Sequence, residues 1–426
     1  MGALSVFLYA TGENELGITD SLLFSEKSFL YKVEIRMKKT IAIILLTLVL
    51  LVMESPLIYA NDGVIRLGFN LPLTGMFELV GNNSKNAAEL VKKELDAAGG
   101  ITVGGKKYTV EFIYGDNKSA AAAASSLTVR QVSNDRVLGI VGPLSSRQAI
   151  PVAQMAQAFS TPMITPWSTS PATTKKGPYI FRSCFVYTIQ GSVITKFAAN
   201  EFNATKAGVL FDVVSAYPRG MASSFKEAFE AQNGPGSVVA YEQFRTGDTD
   251  FSQQLKRIVE AGAQFIFTPQ HFNEVPLIVK QAKKMGIPLP IMGSNSWSGG
   301  DLVGECGADC AGLFFTGNYA PGNAKGINAT FVEAYRKAYG AYPDEPAALT
   351  WDAVRVMIQA IKDTGGLSGN LLRDRTAVKD SLTQLKGFEG ATGTMTFNES
   401  GDPEKCAVVV KISEEGVFTA HDLVCP

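Results

Sequence analysis

From Val64 to Thr316 the sequence alternates short apolar runs with longer helical stretches, and it does so twice. Strand, helix, strand, helix at this spacing means parallel strands joined by right-handed crossovers. In the first round the strands read as Val64–Phe69, Lys107–Tyr114, Val137–Val141, Pro162–Thr165 and Tyr179–Arg182. The helices between them read as Asn86–Ala98, Ser119–Asn134 and Ser146–Phe159. Ala87, Leu90, Val91 and Leu95 keep the helical period in the first helix, and Gly99-Gly100 stops it. The pattern restarts with a helix at Thr188–Asn200. Strands follow at Lys206–Phe211, Val238–Gln243, Phe265–Thr268 and Pro290–Gly293, separated by helices at Gly220–Ala231, from Asp250 onward, and at Phe272–Met285. A third section adds the strand Leu313–Thr316, helices Gly326–Tyr339, Ala347–Thr364 and Leu371–Leu385, the strand Met395–Phe397 and a terminal hairpin. Helices this late must pack on a sheet already made. The chain therefore crosses between two lobes several times, which makes a hinge rather than a string of beads. Its 426 residues suffice for two domains with full cores.

Two loops carry the functional signal: Gly142-Pro-Leu-Ser-Ser-Arg-Gln-Ala149, and Thr165-Pro-Trp-Ser-Thr-Ser-Pro171 one helix later. Each follows a short apolar strand and is rich in hydroxyls and main-chain NH groups, and the first opens a helix. An α/β sheet holds a small anion at the carboxyl ends of its strands in this way, with no Lys or Arg required. The same hydroxyls also suit ordinary caps and turns. Net charge is −1 with no long single-sign run, so neither nucleic acid nor an anionic membrane surface is an expected partner. His271 and His421 are the only histidines, which disfavours His-based metal sites and Ser/His/Asp triads. Neither a GxxxxGK[ST] phosphate loop nor a GxGxxG fingerprint occurs. No metal and no cofactor is expected.

Met37-Lys-Lys-Thr40, the apolar run Ile41–Val52 and Ile58-Tyr-Ala60 read as a Sec signal peptide over 37–60, cleaved after Ala60. Residues 1–36 precede it without clear periodicity and read as an extension from a start placed too early. No Cys lies near residue 61 to carry a lipid, so the expected product is free in a periplasm. An exported chain meets an oxidising compartment, and its five Cys are tested for pairing accordingly. Cys406 and Cys425 are equidistant from the Glu415–Gly416 turn, which puts them opposite each other in an antiparallel hairpin. Cys306 and Cys310 can close the short loop between them. Cys184 is left over and reads as a buried small hydrophobe.

The exported start, Gly68-Phe-Asn-Leu-Pro-Leu-Thr-Gly75, Asp96-Ala-Ala-Gly-Gly-Ile101, Val141-Gly-Pro-Leu-Ser-Ser146, Met163-Ile-Thr-Pro166, Asp248-Thr-Asp-Phe-Ser252 and Trp351-Asp-Ala353 together resemble the type I periplasmic binding proteins of the leucine/isoleucine/valine-binding group, which serve ABC importers. The resemblance covers 62–426, and it is the order and spacing of the motifs that make it specific. It implies an α/β chain of two Rossmann-like lobes joined by three crossovers, a Venus-flytrap with ligand in the cleft and no catalytic activity. The lobes would be 62–185 plus 319–391, and 186–318 plus 392–426. The crossovers would fall near Phe185–Tyr187, Asn318 and Ala391–Thr392.

Carried across residue by residue, the resemblance puts the carboxylate-binding Ser at Ser146. It puts the stretch that takes the ligand's carboxylate and ammonium at Trp167, Ser168 and Thr169. The closing aromatic of the second lobe becomes Tyr217, and a further aromatic falls on His271 or Phe272. The acid that pairs an ammonium falls on Asn295, and Phe77 lines the side-chain pocket. Trp297 is a further cleft candidate, whereas Trp351 reads as core, and Asp116 and Asp352 as caps or hinge groups. Two departures stand out. Asn295 adds no charge where amino-acid binders place Asp or Glu, and Trp167 stands where Ala is frequent. The first lobe's usual disulfide has no Cys partners here. The implied ligand is a small carboxylate, either an amino acid or an amine-free aliphatic or aromatic acid, delivered by a monomer to an ABC permease. A sensor of the same fold feeding a signalling partner, or a cleft hydrolase, are the alternatives.

Overall fold

In the computed structural model the described residues are Arg36, Met37, Lys39, Thr40 and 63–425. Apart from those four positions, the extension 1–36 and the leader 37–60 lie outside the described residues. The first round of the alternation builds β1 (Val64–Leu71), α1 (Glu78–Ala97), β2 (Ile101–Val103), β3 (Lys106–Asp116), α2 (Ala121–Ser133), β4 (Gly139–Val141), α3 (Ser146–Ala158), β5 (Met163–Thr165), α4 (Pro171–Thr174) and β6 (Ile180–Arg182). Its sheet runs β2-β3-β1-β4-β5-β6 and is parallel except for the β2–β3 hairpin. Strands β4, β5 and β6 are wholly buried. Helices cover both faces of such a sheet, so its strands read as continuous apolar runs rather than alternating ones.

The second round builds α5 (Tyr187–Phe202), β7 (Ala207–Asp212), α6 (Ala216–Asn233), β8 (Val238–Phe244), α7 (Ser252–Glu260), β9 (Phe265–Phe267), α8 (Val275–Lys284), β10 (Ile291–Gly293), α9 (Leu302–Cys306) and β11 (Phe314–Gly317). Helices α10 (Gly326–Tyr339), α11 (Glu345–Asp363) and α12 (Leu371–Thr383) follow, then β12 (Phe388–Gly390), β13 (Gly393–Phe397), β14 (Pro403–Glu404), β15 (Ala407–Ile412) and β16 (Phe418–Val424). The second sheet runs β16-β15-β11-β10-β9-β7-β8, so the terminal hairpin joins it antiparallel to β11. Helix α11 packs along α1, which brings the late helices back to the first sheet. The two disulfides form as the spacing suggested, Cys406–Cys425 across the hairpin and Cys306–Cys310 within its loop. Cys184 is buried, and that burial pushes its thiol up to about 12, which leaves it inert.

Two helix starts differ from the sequence reading. The first helix begins at Glu78 rather than Asn86, although Gly81, Asn82, Asn83 and Ser84 resemble a turn. Tertiary packing overrides that propensity: the helix start lies against the Pro72 carbonyl so closely that a Cβ on Gly81 would overlap it. Helix α6 begins at Ala216 rather than Gly220, which moves Tyr217 from a loop into a first helical turn. Pro218 is tolerated there because a first-turn residue has no helical partner for its NH.

Candidate functional site: a cleft between two switch points

In each sheet the strand order reverses once near its middle, between β1 and β4 in the first and between β7 and β9 in the second. Parallel sheets leave a crevice outside the carboxyl ends of their strands at such a reversal. The connections leaving β1 and β4 carry Phe77 and, at the start of α3, Ser146; those leaving β7 and β9 carry Tyr217, in the first turn of α6, and His271 and Phe272. The two crevices meet. The Phe77 ring lies 5.0 Å from the His271 ring and 6.4 Å from Phe272, and Trp167 lies 6.5 Å from His271. Tyr217 completes the group, 5.5 Å from His271.

The first-lobe half is a hydroxyl cluster. Ser146 Oγ and Ser168 Oγ are 2.9 Å apart, and Ser168 also bonds Thr173 Oγ1 at 2.9 Å. Ser145 Oγ donates to Gln148 Oε1 at 2.7 Å, and no side chain caps the first turn of α3. The Thr169 hydroxyl and the Trp167 indole NH are buried with no hydrogen-bond partner. Buried polar atoms are rarely left so, and an orphaned donor costs about 1–3 kcal/mol.

Arg182, at the end of β6, holds this loop from behind. Its guanidinium is wholly buried, and it donates to the main-chain oxygens of Ser168 and Ser170 and to Thr174 Oγ1. Its Nε donates to Asp402 Oδ1 at 2.6 Å, and the Arg182 NH donates to Gly401 O. Gly401 has φ +75°, and a Cβ there would overlap the Ile180 carbonyl, so the Asp402 turn reaches Arg182 only with glycine at this position. Sequence reasoning passed over Arg182; the one signal was a cation inside an otherwise apolar strand.

Facing it is a saturated polar network drawn from the second sheet's loops, from α5 and, at Glu345, from the late helix α11 that packs back on the first round. Tyr217 Oη bonds Ser294 Oγ at 2.7 Å and donates to Asn295 Oδ1 at 2.8 Å, and burial holds the phenol well above its ordinary pKa. Gln190 donates to the same Oδ1 at 3.0 Å. Asn295 Nδ2 donates to Glu345 Oε1 at 3.3 Å, and Asn318 donates to both Glu345 oxygens. Burial pushes the Glu345 carboxyl up to about 7 despite these donors. Glu345 and Gln190 were also missed, since neither belongs to a motif. Trp297 stands apart from the other candidates: its wholly buried indole donates to Thr268 O at 3.1 Å and lies 6.2 Å from Phe315, so it packs the second sheet. Asp116 gathers the NH groups of Leu73, Thr74 and Lys118, in keeping with a turn role.

The lobes are nearly shut. The cavity they enclose is about 50 Å³, against roughly 30 Å³ for one water molecule in the liquid. Admitting a solute requires the lobes to part. A larger groove of about 960 Å³ is lined by Asn318 after β11, Thr392 between β12 and β13, and Lys405 before β15. The smaller cavity is lined by Phe77, Ser145, Ser146, Tyr217 and His271 together with Asp212 and Glu274, whereas Trp167, Ser168, Thr169, Phe272 and Asn295 are not among its lining residues.

His271 gives this cleft a pH signature. Its Nδ1 bonds Ser296 Oγ at 2.8 Å, and burial pushes the imidazole down to about 4, with Asp212 pulling weakly the other way. An unfolded His titrates near ~6.5. Between these values the unfolded chain binds a proton that the folded chain does not, so stability falls as pH drops through that window and is level above it. A His271→Gln variant is expected to lose on the order of 2–3 kcal/mol less than the wild type between pH 7 and 4. Urea titrations at three pH values measure this, and parallel losses in the two proteins would contradict it.

Residues 64–417 match the model of a family described as periplasmic binding protein. The chain is 28% identical to the Leu/Ile/Val-binding protein homolog 3 of Brucella melitensis, over 79% of this chain and 88% of the relative. It is similar to the branched-chain amino acid transporter substrate binding protein of Streptococcus pneumoniae, solved in complex with isoleucine, with 31% identity and a TM-score of 0.76, covering 85% of this chain and 100% of that one. A solute binding protein of an R. palustris ABC transporter, solved with benzoate, shares the fold at 21% identity and a TM-score of 0.74, covering 85% of this chain and 97% of that one.

Proposed function

The chain belongs to the periplasmic binding protein family, and from that premise we propose that it is an extracytoplasmic receptor for a small carboxylate, which it delivers to an ABC permease. The family's members are solute receptors, not enzymes. In this reading the leader at 37–60 exports the chain to the periplasm, where it works as a monomer. The lobes are 62–185 plus 319–391, and 186–318 plus 392–426. Solute docks on the first lobe, and the second lobe closes over it, so that ligand shifts the population toward the shut form recognised at the membrane.

One observation carries the reading. Ser146 and the Trp167–Thr169 loop lie at the ends of neighbouring parallel strands, and the Thr169 hydroxyl and Trp167 NH are buried there without partners. A carboxylate supplies acceptors for both. The test is a thermal-shift screen of amino acids, aliphatic acids, aromatic acids and the corresponding amides. A ligand at 100 times its Kd stabilises by about 2.7 kcal/mol, enough to read as a shift in Tm. At least one carboxylate is expected to stabilise while its amide does not. Ser146→Ala and Thr169→Val are each expected to weaken that ligand about tenfold by calorimetry, the loss of one hydrogen bond to a charged group. Unchanged affinity in both variants would remove the loop from the site.

A further inference from the structure

An ammonium group needs an acceptor with a free lone pair, and a charged acceptor makes the bond roughly twice as strong. Asn295, where the resemblance puts the ammonium's partner, is buried and is not among the residues lining the cavity, and its amide is already spent. A carboxamide oxygen has two lone pairs. Tyr217 Oη takes one at 2.8 Å and Gln190 Nε2 the other at 3.0 Å. The Asn295 NH in turn donates to Gln190 Oε1 at 3.1 Å, and Thr316 Oγ1 donates to that same oxygen at 2.8 Å. Tyr217, Gln190, Asn295, Thr316 and Glu345 are all buried, so freeing one lone pair for a ligand strands another group at a cost of about 1–3 kcal/mol.

Two carboxyls do line the cavity, Asp212 and Glu274, and of these Glu274 is bonded through one oxygen only. Asp212 accepts from the NH groups of Val214 and Thr246 and from the Thr246 hydroxyl, which ties the ends of β7 and β8 together. Glu274 accepts from Gln270 Nε2 at 3.2 Å, and burial, helped by Asp212, pushes its carboxyl up to about 7. Met76, Phe77, Tyr217 and His271, which line the cavity, meanwhile offer walls for an apolar body, and burial holds His271 neutral.

We infer that the network Tyr217–Asn295–Gln190–Glu345 fills the place of an ammonium pocket, so that the cleft selects amine-free carboxylates with an apolar body over α-amino acids. This rests on the carboxylate-receptor reading above. The test is isothermal titration of the purified protein with matched pairs: 4-methylpentanoate against L-leucine, 3-phenylpropanoate against L-phenylalanine, and benzoate against benzamide. The acid in at least one of the first two pairs is expected to bind about tenfold or more tighter than its amino acid. An amino acid binding tighter than its deaminated partner in those pairs overturns the inference, leaves the receptor reading intact, and points to Glu274 as the amine's partner. Binding of benzamide with no carboxylate bound overturns both. Tyr217→Phe vacates one lone pair on Asn295 Oδ1 and is expected to narrow the ratio in the amino acid's favour. An unchanged ratio in that variant also overturns the role given to Asn295.

Discussion

Arg182→Met is expected to cost about 3–5 kcal/mol of folding stability and to abolish ligand binding, the usual consequence of breaking one partner out of a buried ion pair. The guanidinium spans the Ser168 and Ser170 carbonyls, Thr174 Oγ1 and Asp402 Oδ1. Methionine fills the volume and satisfies none of them. Asp402 keeps the Thr174 hydroxyl at 2.9 Å but loses its counter-charge, and two buried carbonyls lose their donor. The loop they belong to is the one that presents Ser168 and Thr169, so the loss reaches the site as well as the fold. Arg182→Lys is not expected to rescue, because an ammonium is a point charge and cannot reach this fork of acceptors. Guanidinium titration and ligand calorimetry on both variants test the claim. If the lysine variant keeps wild-type affinity, the planar fork is not what positions the loop.

The contrast between Arg182 and Ser146 marks how far the sequence could be read. Strand-helix periodicity fixes which residues end a strand, and strand order fixes which strand ends share a crevice. Ser146 and Thr169 sit at such ends and were legible there; Phe77, Tyr217 and His271 came only from the resemblance, and in the structure all three line the small cavity. The supports of the site were not legible. Arg182 pairs with Asp402 across 220 positions, Gln190 with Asn295 across 105, and Asn295 with Glu345 across 50. A buried pairing at that separation leaves no local pattern. Trp167 and Trp297 make the same point from the other side. Both follow a strand within a few residues, yet one joins the cleft rings and the other packs the second sheet. Which way a loop turns its tryptophan depends on neighbours that periodicity does not report. The helix starts at Glu78 and Ala216 failed for a related reason, since close packing and a first-turn proline overrode residues that look like turns.

The second large effect is expected at Asp352 and Lys405. Asp352, on α11, is wholly buried and accepts from Ala391 N at 2.7 Å, Thr392 N at 2.9 Å and the Thr392 hydroxyl. Lys405 Nζ donates to Ser183 O at 3.0 Å and to that same hydroxyl. One cluster thus joins the segment after β6, the segment between β12 and β13, and the entry to β15. Burial pushes the Asp352 carboxyl up and the Lys405 ammonium down, while each charge pulls the other back. Both opposing effects are expected for a pair relayed through Thr392 inside the protein. Asp352→Ala removes the acceptor of three donors and leaves Lys405 only the weaker pull of Glu345, at an expected cost of about 3–5 kcal/mol. Lys405→Met leaves Asp352 its two NH groups and a hydroxyl, and its expected cost is smaller, about 1–2 kcal/mol. Much of the first penalty is the stranded lysine, so removing both groups should cost less than the sum of the two, by a coupling of about 1–3 kcal/mol. A double-mutant cycle by urea denaturation measures that coupling directly. Additivity within about 0.5 kcal/mol would mean that the two charges stabilise these segments separately, and the relay through Thr392 would then have no energetic meaning.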